Sequence, residues 1–206
     1  MLARPNGGWE PLILRAVAVR EGEAPWLNAC ARYLDELLEW NRRTDLTAAR
    51  TVEELVDLTV VDAAVIAAAS PGARGAWVDV GSGAGAPGLV LSMMLPDVRM
   101  TLVEPRDRRV AFLRSAIGKL GFTGATVVRG RSDRIVPQSA DVALSRATLP
   151  PKEWLREGAR LAKSSVWVLL AREEPPISGN LFVADDIAYE WPLTQVPRRA
   201  VRYARP

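Results

Sequence analysis

Between Trp77 and Leu91 the chain reads WVDVGSGAGAPGLVL: an acidic residue, then three glycines at alternate positions, Gly81, Gly83 and Gly85, between two apolar runs. An ordinary strand-to-helix turn needs one glycine at most, and each further one loses additional entropy on folding, so something has to approach this backbone closely. Glycine admits positive φ and removes the β-carbon that would hold a flat or anionic group off the peptide plane. A loop leading into a helix also aims backbone N–H groups at a ligand. Glu104 follows Gly81 by 23 residues, the interval at which a carboxylate ending the next strand accepts hydrogen bonds from both ribose hydroxyls of a nucleoside. Together these residues describe an adenosine-containing ligand.

Gly81, Gly83 and Ala86 also satisfy the G-x-G-x-x-A form of the dinucleotide fingerprint, which alone is a weak signal. Three features favour S-adenosylmethionine over NAD: Asp79 two residues before the first glycine, the third loop glycine Gly85, and the polar pair Ser132-Asp133 further on. Asp79 suits the cationic amino end of a methionine, whereas a dinucleotide would bring a pyrophosphate that a nearby carboxylate repels. The balance tips toward methyl transfer.

Those residues need a scaffold that sets strand ends beside one another. Ahead of Pro71–Gly75 the pattern is helical. Trp26–Arg43 places Leu27, Cys30, Leu34, Leu37 and Leu38 on one face, and Thr51 with Glu54 forms a capping box opening a helix through Leu55, Leu58, Val61 and Val65. Trp9–Val19 reads as a further helix. After Gly75, strands at Ala76–Val80, Met100–Glu104, Thr126–Arg129, Asp141–Leu144 and Ser165–Leu170 alternate with helices at Ala86–Met94, Asp107–Leu120 and Pro151–Ala162. Pro87 falls in the first turn of its helix. This alternation predicts a doubly wound α/β fold, with ligands bound beyond the carboxyl ends of parallel strands. Leu181–Trp191 and Ala200–Arg205 read as two antiparallel strands at the sheet edge.

Composition narrows the chemistry. The 206 residues include no histidine and one cysteine, Cys30, which excludes Ser-His and Cys-His nucleophiles, an internal disulfide and the usual zinc sites. Cys30, set among Trp26, Leu27 and Leu34, is expected to be buried. No apolar run approaches the roughly 20 residues of a membrane span, and MLARPNGGWE does not resemble a secretory signal, so a cytoplasmic protein is expected. Net charge is only +3, but arginines cluster at Arg106, Arg108, Arg109, Arg114, Arg129, Arg131 and Arg134 and again at Arg198, Arg199, Arg202 and Arg205. That distribution suits a polyanionic partner.

The run DVGSGAGAPGLVLSMMLPDVRMTLVEPRDRRVAFLRSAIGKLG, with VALSRA downstream and WNRRTDLTA upstream, resembles the RsmG (GidB) family of bacterial 16S ribosomal RNA guanine-N7 methyltransferases. The resemblance covers most of the chain from Trp40 onward. It implies a Rossmann-like class I methyltransferase domain over residues 71–206 with an N-terminal helical region over 1–70 packed on it, S-adenosylmethionine as cofactor, and 16S ribosomal RNA or the small subunit as partner. A monomer needing neither metal nor membrane is expected.

Carried over by position, the resemblance implies that Gly81 and Ala86 contact the cofactor while Gly83 and Gly85 shape the loop. Glu104 would hold the ribose, Ser132 and Asp133 the adenine side, and Arg146, of Ser145-Arg146-Ala147, would be catalytic and border the cofactor. Separately, from their charge and clustering, Arg106, Arg108, Arg109, Arg198 and Arg199 are the candidates for contacts to RNA phosphates. The chain departs from the family at Thr59, where a histidine is usual, at Ala171-Arg172-Glu173, where lysine-glycine is usual, and at Arg108-Arg109, where two lysines are usual. These departures bear on the RNA rather than the cofactor. Because guanine N7 carries a lone pair and no proton, an enzyme without histidine suffices to position it. A methyltransferase acting on a small molecule or another RNA, an NAD-dependent oxidoreductase and a non-catalytic RNA-binding module are the rival readings.

Overall fold

The computed structural model describes residues 2–18 and 24–206. Three helical stretches precede the sheet. Helix α1 (Glu10–Val17) ends before Val19, which lies outside the described residues, and α2 (Leu27–Asn41) buries the face carrying Leu27, Cys30, Leu34, Leu37 and Leu38. The third opens on Thr51, whose Oγ1 accepts the Glu54 N–H at 3.1 Å. The Glu54 carboxylate reaches back to the Arg50 N–H at 2.6 Å, one residue earlier than a reciprocal capping box would place it. This helix is not continuous: α3 (Val52–Val56) passes through a π-helical turn, Asp57–Val61, into α4 (Asp62–Ala68).

Strands β1 (Gly75–Val80), β2 (Val98–Glu104), β3 (Ala125–Arg129), β4 (Ala140–Arg146) and β5 (Ala162–Leu170) are mutually parallel. Helices α5 (Gly88–Met94), α6 (Asp107–Leu120) and α7 (Pro151–Leu161) connect them. An antiparallel pair, β6 (Phe182–Trp191) and β7 (Val196–Ala204), completes a seven-stranded sheet of order β3-β2-β1-β4-β5-β7-β6. The edge pair is therefore present, with β7 inserted between β5 and β6. The order reverses between β1 and β4, so the two chain exits diverge there and leave the crevice in which such sheets bind ligands.

Side chains alternate between two cores, as the period of two along a strand dictates. On one face Trp77, Leu102, Leu144 and Trp167 pack with Leu89, Phe112 and the N-terminal helices, including Trp9, Ile13 and Leu34. On the other, Val78, Val103, Val166 and Val168 pack with Trp154, Leu155 and Leu161 of α7. The stretch before Pro71 thus shares a core with the sheet. Cys30 is buried, and burial pushes its thiol far up. It is chemically quiet.

Candidate active site

The loop from Gly81 to Pro87 leaves β1 at the switch point and is tied to β2. The Gly81 and Ser82 N–H groups donate to Val103 O of β2 at 2.8 and 3.1 Å, Gly83 N–H donates to the Glu104 carboxylate at 2.9 Å, and Gly85 N–H to Ser82 O at 2.6 Å. Four of the six amides from Gly81 to Ala86 are thus committed within the fold, three of them across the end of β2, and what the loop mainly offers is a bare surface.

Two glycines show the division of labour. A β-carbon on Gly81 (φ +74°) would collide with Thr148, whose hydroxyl donates to Val80 O at 3.0 Å, so packing against the β4 exit requires glycine there. Around Gly83 (φ +56°) the position a β-carbon would take meets only ordinary contacts, Arg109 Nη1 at 3.7 Å and Gly81 O at 3.8 Å, so its missing side chain leaves open surface. Tyr33 of α2 braces the loop from behind, donating its hydroxyl to Ala84 O at 2.7 Å. Pro87 is the N-cap of α5, one position before the first-turn place expected for it. Ala86, next to it, is buried.

Two carboxylates lie beneath this surface. Glu104 is 2% exposed; one oxygen accepts from Gly83 N–H and the other from Arg106 N–H, each at 2.9 Å. Each oxygen keeps a lone pair beyond those bonds. Asp79 is 1% exposed at the end of β1 and accepts the Gly88 N–H that opens α5. Burial pushes its carboxyl up to about 6, with Ser82, the Gly88 amide and the Arg146 charge offsetting only part of that. Gly88, which sequence reasoning passed over, must be glycine because a β-carbon would strike the Asp79 side chain. Ser132 and Asp133 form a 3₁₀ turn, Ser132–Arg134, beyond the end of β3, the strand beside β2. Arg160 of α7 holds that turn through Ser132 O at 2.9 Å.

Arg146 ends β4 across the crevice. Its guanidinium turns inward, with Nη1 donating to Asp62 Oδ2 at 3.1 Å and to Leu58 O. The other oxygen of Asp62 accepts from Tyr189 OH at 2.7 Å and Trp191 Nε1 at 2.8 Å. Sequence reasoning missed Asp62, Tyr189 and Trp191. The available signal was an isolated carboxylate inside the apolar run Val60–Ile66. Beside Arg146 lies a cavity of about 200 Å³ whose walls include Ala147, Glu173, Tyr189, Trp191 and Arg198. The Arg146 charge offsets part of the upward push that burial gives both Asp79 and Tyr33.

The arginines sort into two groups. Arg106, Arg108 and Arg109 lie at the start of α6, and among the described residues no carboxylate forms an ion pair with them; Asp107 pairs instead with Arg129, Nη2 to Oδ2 at 3.0 Å. Much of the C-terminal group is bound within the fold. Arg199 grips Asp186 through two bonds of 2.6 and 2.7 Å, Arg202 pairs with Asp185 directly opposite on β6, and Arg205 donates to Ala159 O. Arg198 lies over the Trp191 ring at 3.8 Å from its centre. Among the described residues no helix is long and apolar enough to cross a membrane.

Comparison with known proteins agrees with this geometry. The crystal structure of a SAM dependent methyltransferase from Aquifex aeolicus superposes with a TM-score of 0.55 at 16% identity, over 73% of this chain and 92% of that one. In sequence, the Ribosomal RNA small subunit methyltransferase G of Anaeromyxobacter dehalogenans is 32% identical over 187 residues, 84% of this chain and 86% of the relative. The protein of that name from Halorhodospira halophila is 38% identical over 130 residues, 63% of this chain, and the match spans 61% of the relative's length. The model of the GidB family, rRNA small subunit methyltransferase G, matches residues 27–175, and the chain belongs to that family.

Proposed function

We propose that this chain transfers a methyl group from S-adenosylmethionine to N7 of a guanine in 16S ribosomal RNA, acting as a monomer in the cytoplasm. The single observation that carries the reading is the pairing of the bare Gly81–Pro87 surface with the buried Glu104 carboxylate at a topological switch point. The residues present fit the cofactor. A carboxylate with free lone pairs suits two ribose hydroxyls, and a second buried carboxylate, Asp79, suits a cationic amino group. A loop with four of its amides already bonded and a buried carboxylate beside it has less to offer a pyrophosphate, which weighs against the NAD reading.

S-adenosylmethionine, when bound, supplies an electrophilic methyl group. The chain's contribution is then positional. Glu104 and Ser132-Asp133 hold the nucleoside, Asp79 the amino end, and Arg146 orients the acceptor base in the adjoining cavity. A base with an in-plane lone pair and no proton at N7 needs no general base, in keeping with a sequence without histidine. Incubating labelled S-adenosylmethionine with small-subunit RNA from a strain lacking this protein, and mapping the modified base, tests the assignment. Label appearing on a small metabolite and not on RNA would overturn it.

Asp79 makes cofactor binding depend on pH. Its folded carboxyl titrates at about 6 because burial disfavours the ion, so below that pH it is protonated and neutral. A bound cation favours the ionised form, and affinity is expected to rise with pH by up to about tenfold per unit below 6, then level off. Calorimetric titration between about pH 5 and pH 7.5 measures this. A flat profile would remove Asp79 from the amino-group site.

The unpaired arginines at the start of α6 supply phosphate contacts. RNA affinity is expected to fall steeply with salt, and replacing Arg106, Arg108 and Arg109 by glutamine should flatten the slope of log affinity against log salt by about two units. Arg198 remains available at the cavity wall. Arg199, bound to Asp186, should contribute less, so its replacement alone should change the slope little.

A further inference from the structure

We propose that Asp62 is the positioning residue of the acceptor side, setting the Arg146 guanidinium through one carboxylate oxygen while the other holds β6. The inference rests on the role given to Arg146 above, because Asp62 acts only through that side chain.

Asp62 joins three parts of the chain far apart in sequence: Arg146 from β4, and Tyr189 and Trp191 from β6. Its side chain is 2% exposed and that of Arg146 23%. A buried carboxylate receiving three charge-assisted hydrogen bonds has little freedom, and neither has a guanidinium bonded both to it and to the Leu58 carbonyl. The two oxygens have separate partners, with Oδ2 facing Arg146 and Oδ1 facing Tyr189 and Trp191.

The π-helical turn explains how the helix presents this group. Asp57 and Asp62 are five residues apart, which on a regular α-helix would separate them by about 140° around the axis. A π turn closes its hydrogen bonds over five residues and brings such pairs onto one side. Both carboxylates consequently meet the β6–β7 hairpin. Asp57 accepts from Thr194 N–H at 2.9 Å and Thr194 OH at 2.7 Å, and Asp62 meets the strand itself. Asp57 serves as an internal control, since it braces the same hairpin from the same helix and does not bond to Arg146.

Asp62→Asn keeps a carbonyl oxygen for Tyr189 and Trp191 but sets an NH₂ against Arg146, donor to donor. Its single-turnover methyl transfer at saturating cofactor and RNA is expected to fall by roughly a hundredfold, the scale of a misplaced positioning group. Cofactor affinity should stay within about threefold of the parent's, because the loop, Glu104 and Asp79 are untouched. Asp57→Asn should lower the melting temperature while leaving transfer near the parental rate. Transfer by Asp62→Asn at the parental rate would overturn the proposal, and so would rates of the two variants falling in equal proportion at equal loss of melting temperature.

A second measurement does not need the single variant to fold well or the enzyme to be active. In an Arg146→Ala background Asp62 is a buried carboxylate without its cation, and adding Asp62→Asn removes that charge. The double variant is then expected to melt above Arg146→Ala alone and to transfer no more slowly. Additive losses of melting temperature would overturn the pairing. A parent protein that leaves ribosomal RNA unmethylated would instead defeat the functional reading, while the melting comparison still decides whether Asp62 holds Arg146.

Discussion

Replacing Arg146 by alanine is expected to slow methyl transfer to ribosomal RNA by about a hundredfold to a thousandfold at saturating substrates, since the proposed attack by guanine N7 depends on placing a base rather than on moving a proton. The same substitution has a cost in stability. Asp62 would keep its bonds to Tyr189 and Trp191 and lose the cation opposite its second oxygen. Breaking a buried pair typically costs about 3–5 kcal/mol, and the partial exposure of the Arg146 side chain moves the expectation to the lower end. Rate and melting temperature measured on one preparation separate the two effects. Arg146→Lys preserves charge without the planar fork and should recover stability more fully than rate. A parental transfer rate in Arg146→Ala would remove this residue from the acceptor site.

The second large effect concerns the cofactor. Glu104→Ala deletes the proposed acceptor for two ribose hydroxyls and also releases the Gly83 and Arg106 N–H groups that the carboxylate holds at 2.9 Å. Hydrogen bonds to a charged group contribute about 1.5–3 kcal/mol each, so S-adenosylmethionine affinity should fall by at least about a hundredfold. Glu104→Gln retains one acceptor oxygen and should fall between the two. Calorimetry or equilibrium dialysis decides the matter. Affinity within about threefold of the parent would mean that the ribose lies elsewhere.

What could be read from the sequence was what local pattern encodes. Strands from Gly75 to Leu170, the helices between them and the edge pair followed from alternation, turn residues and capping, with boundaries displaced by a few residues. Glu104 was legible because its distance from the glycines is a property of one βαβ unit. The bonding of the Gly81 and Ser82 amides was not, because their acceptor, Val103 O, belongs to a neighbouring strand and only the sheet brings it near. The π turn has no composition of its own; Val60 and Val61 look the same in either helix. The partners of Asp62 lie 84, 127 and 129 residues away along the chain. Charge counting could not show which C-terminal arginines have carboxylate partners, since Arg202 faces Asp185 only once the β6–β7 register is known.

The internal bonding of the glycine loop bears on what else in a cell could occupy this crevice. ATP and related triphosphates are far more abundant than most methyl donors, and they share the same nucleoside. On the proposed placement of the cofactor, their phosphate chain would meet a loop with four amides already bonded and a carboxylate at Asp79 where it needs cations. Discrimination against nucleoside triphosphates is then expected from the loop and Asp79 together. A synthetic inhibitor would do best with an adenosine bearing a short basic tail, and an acidic one would gain little.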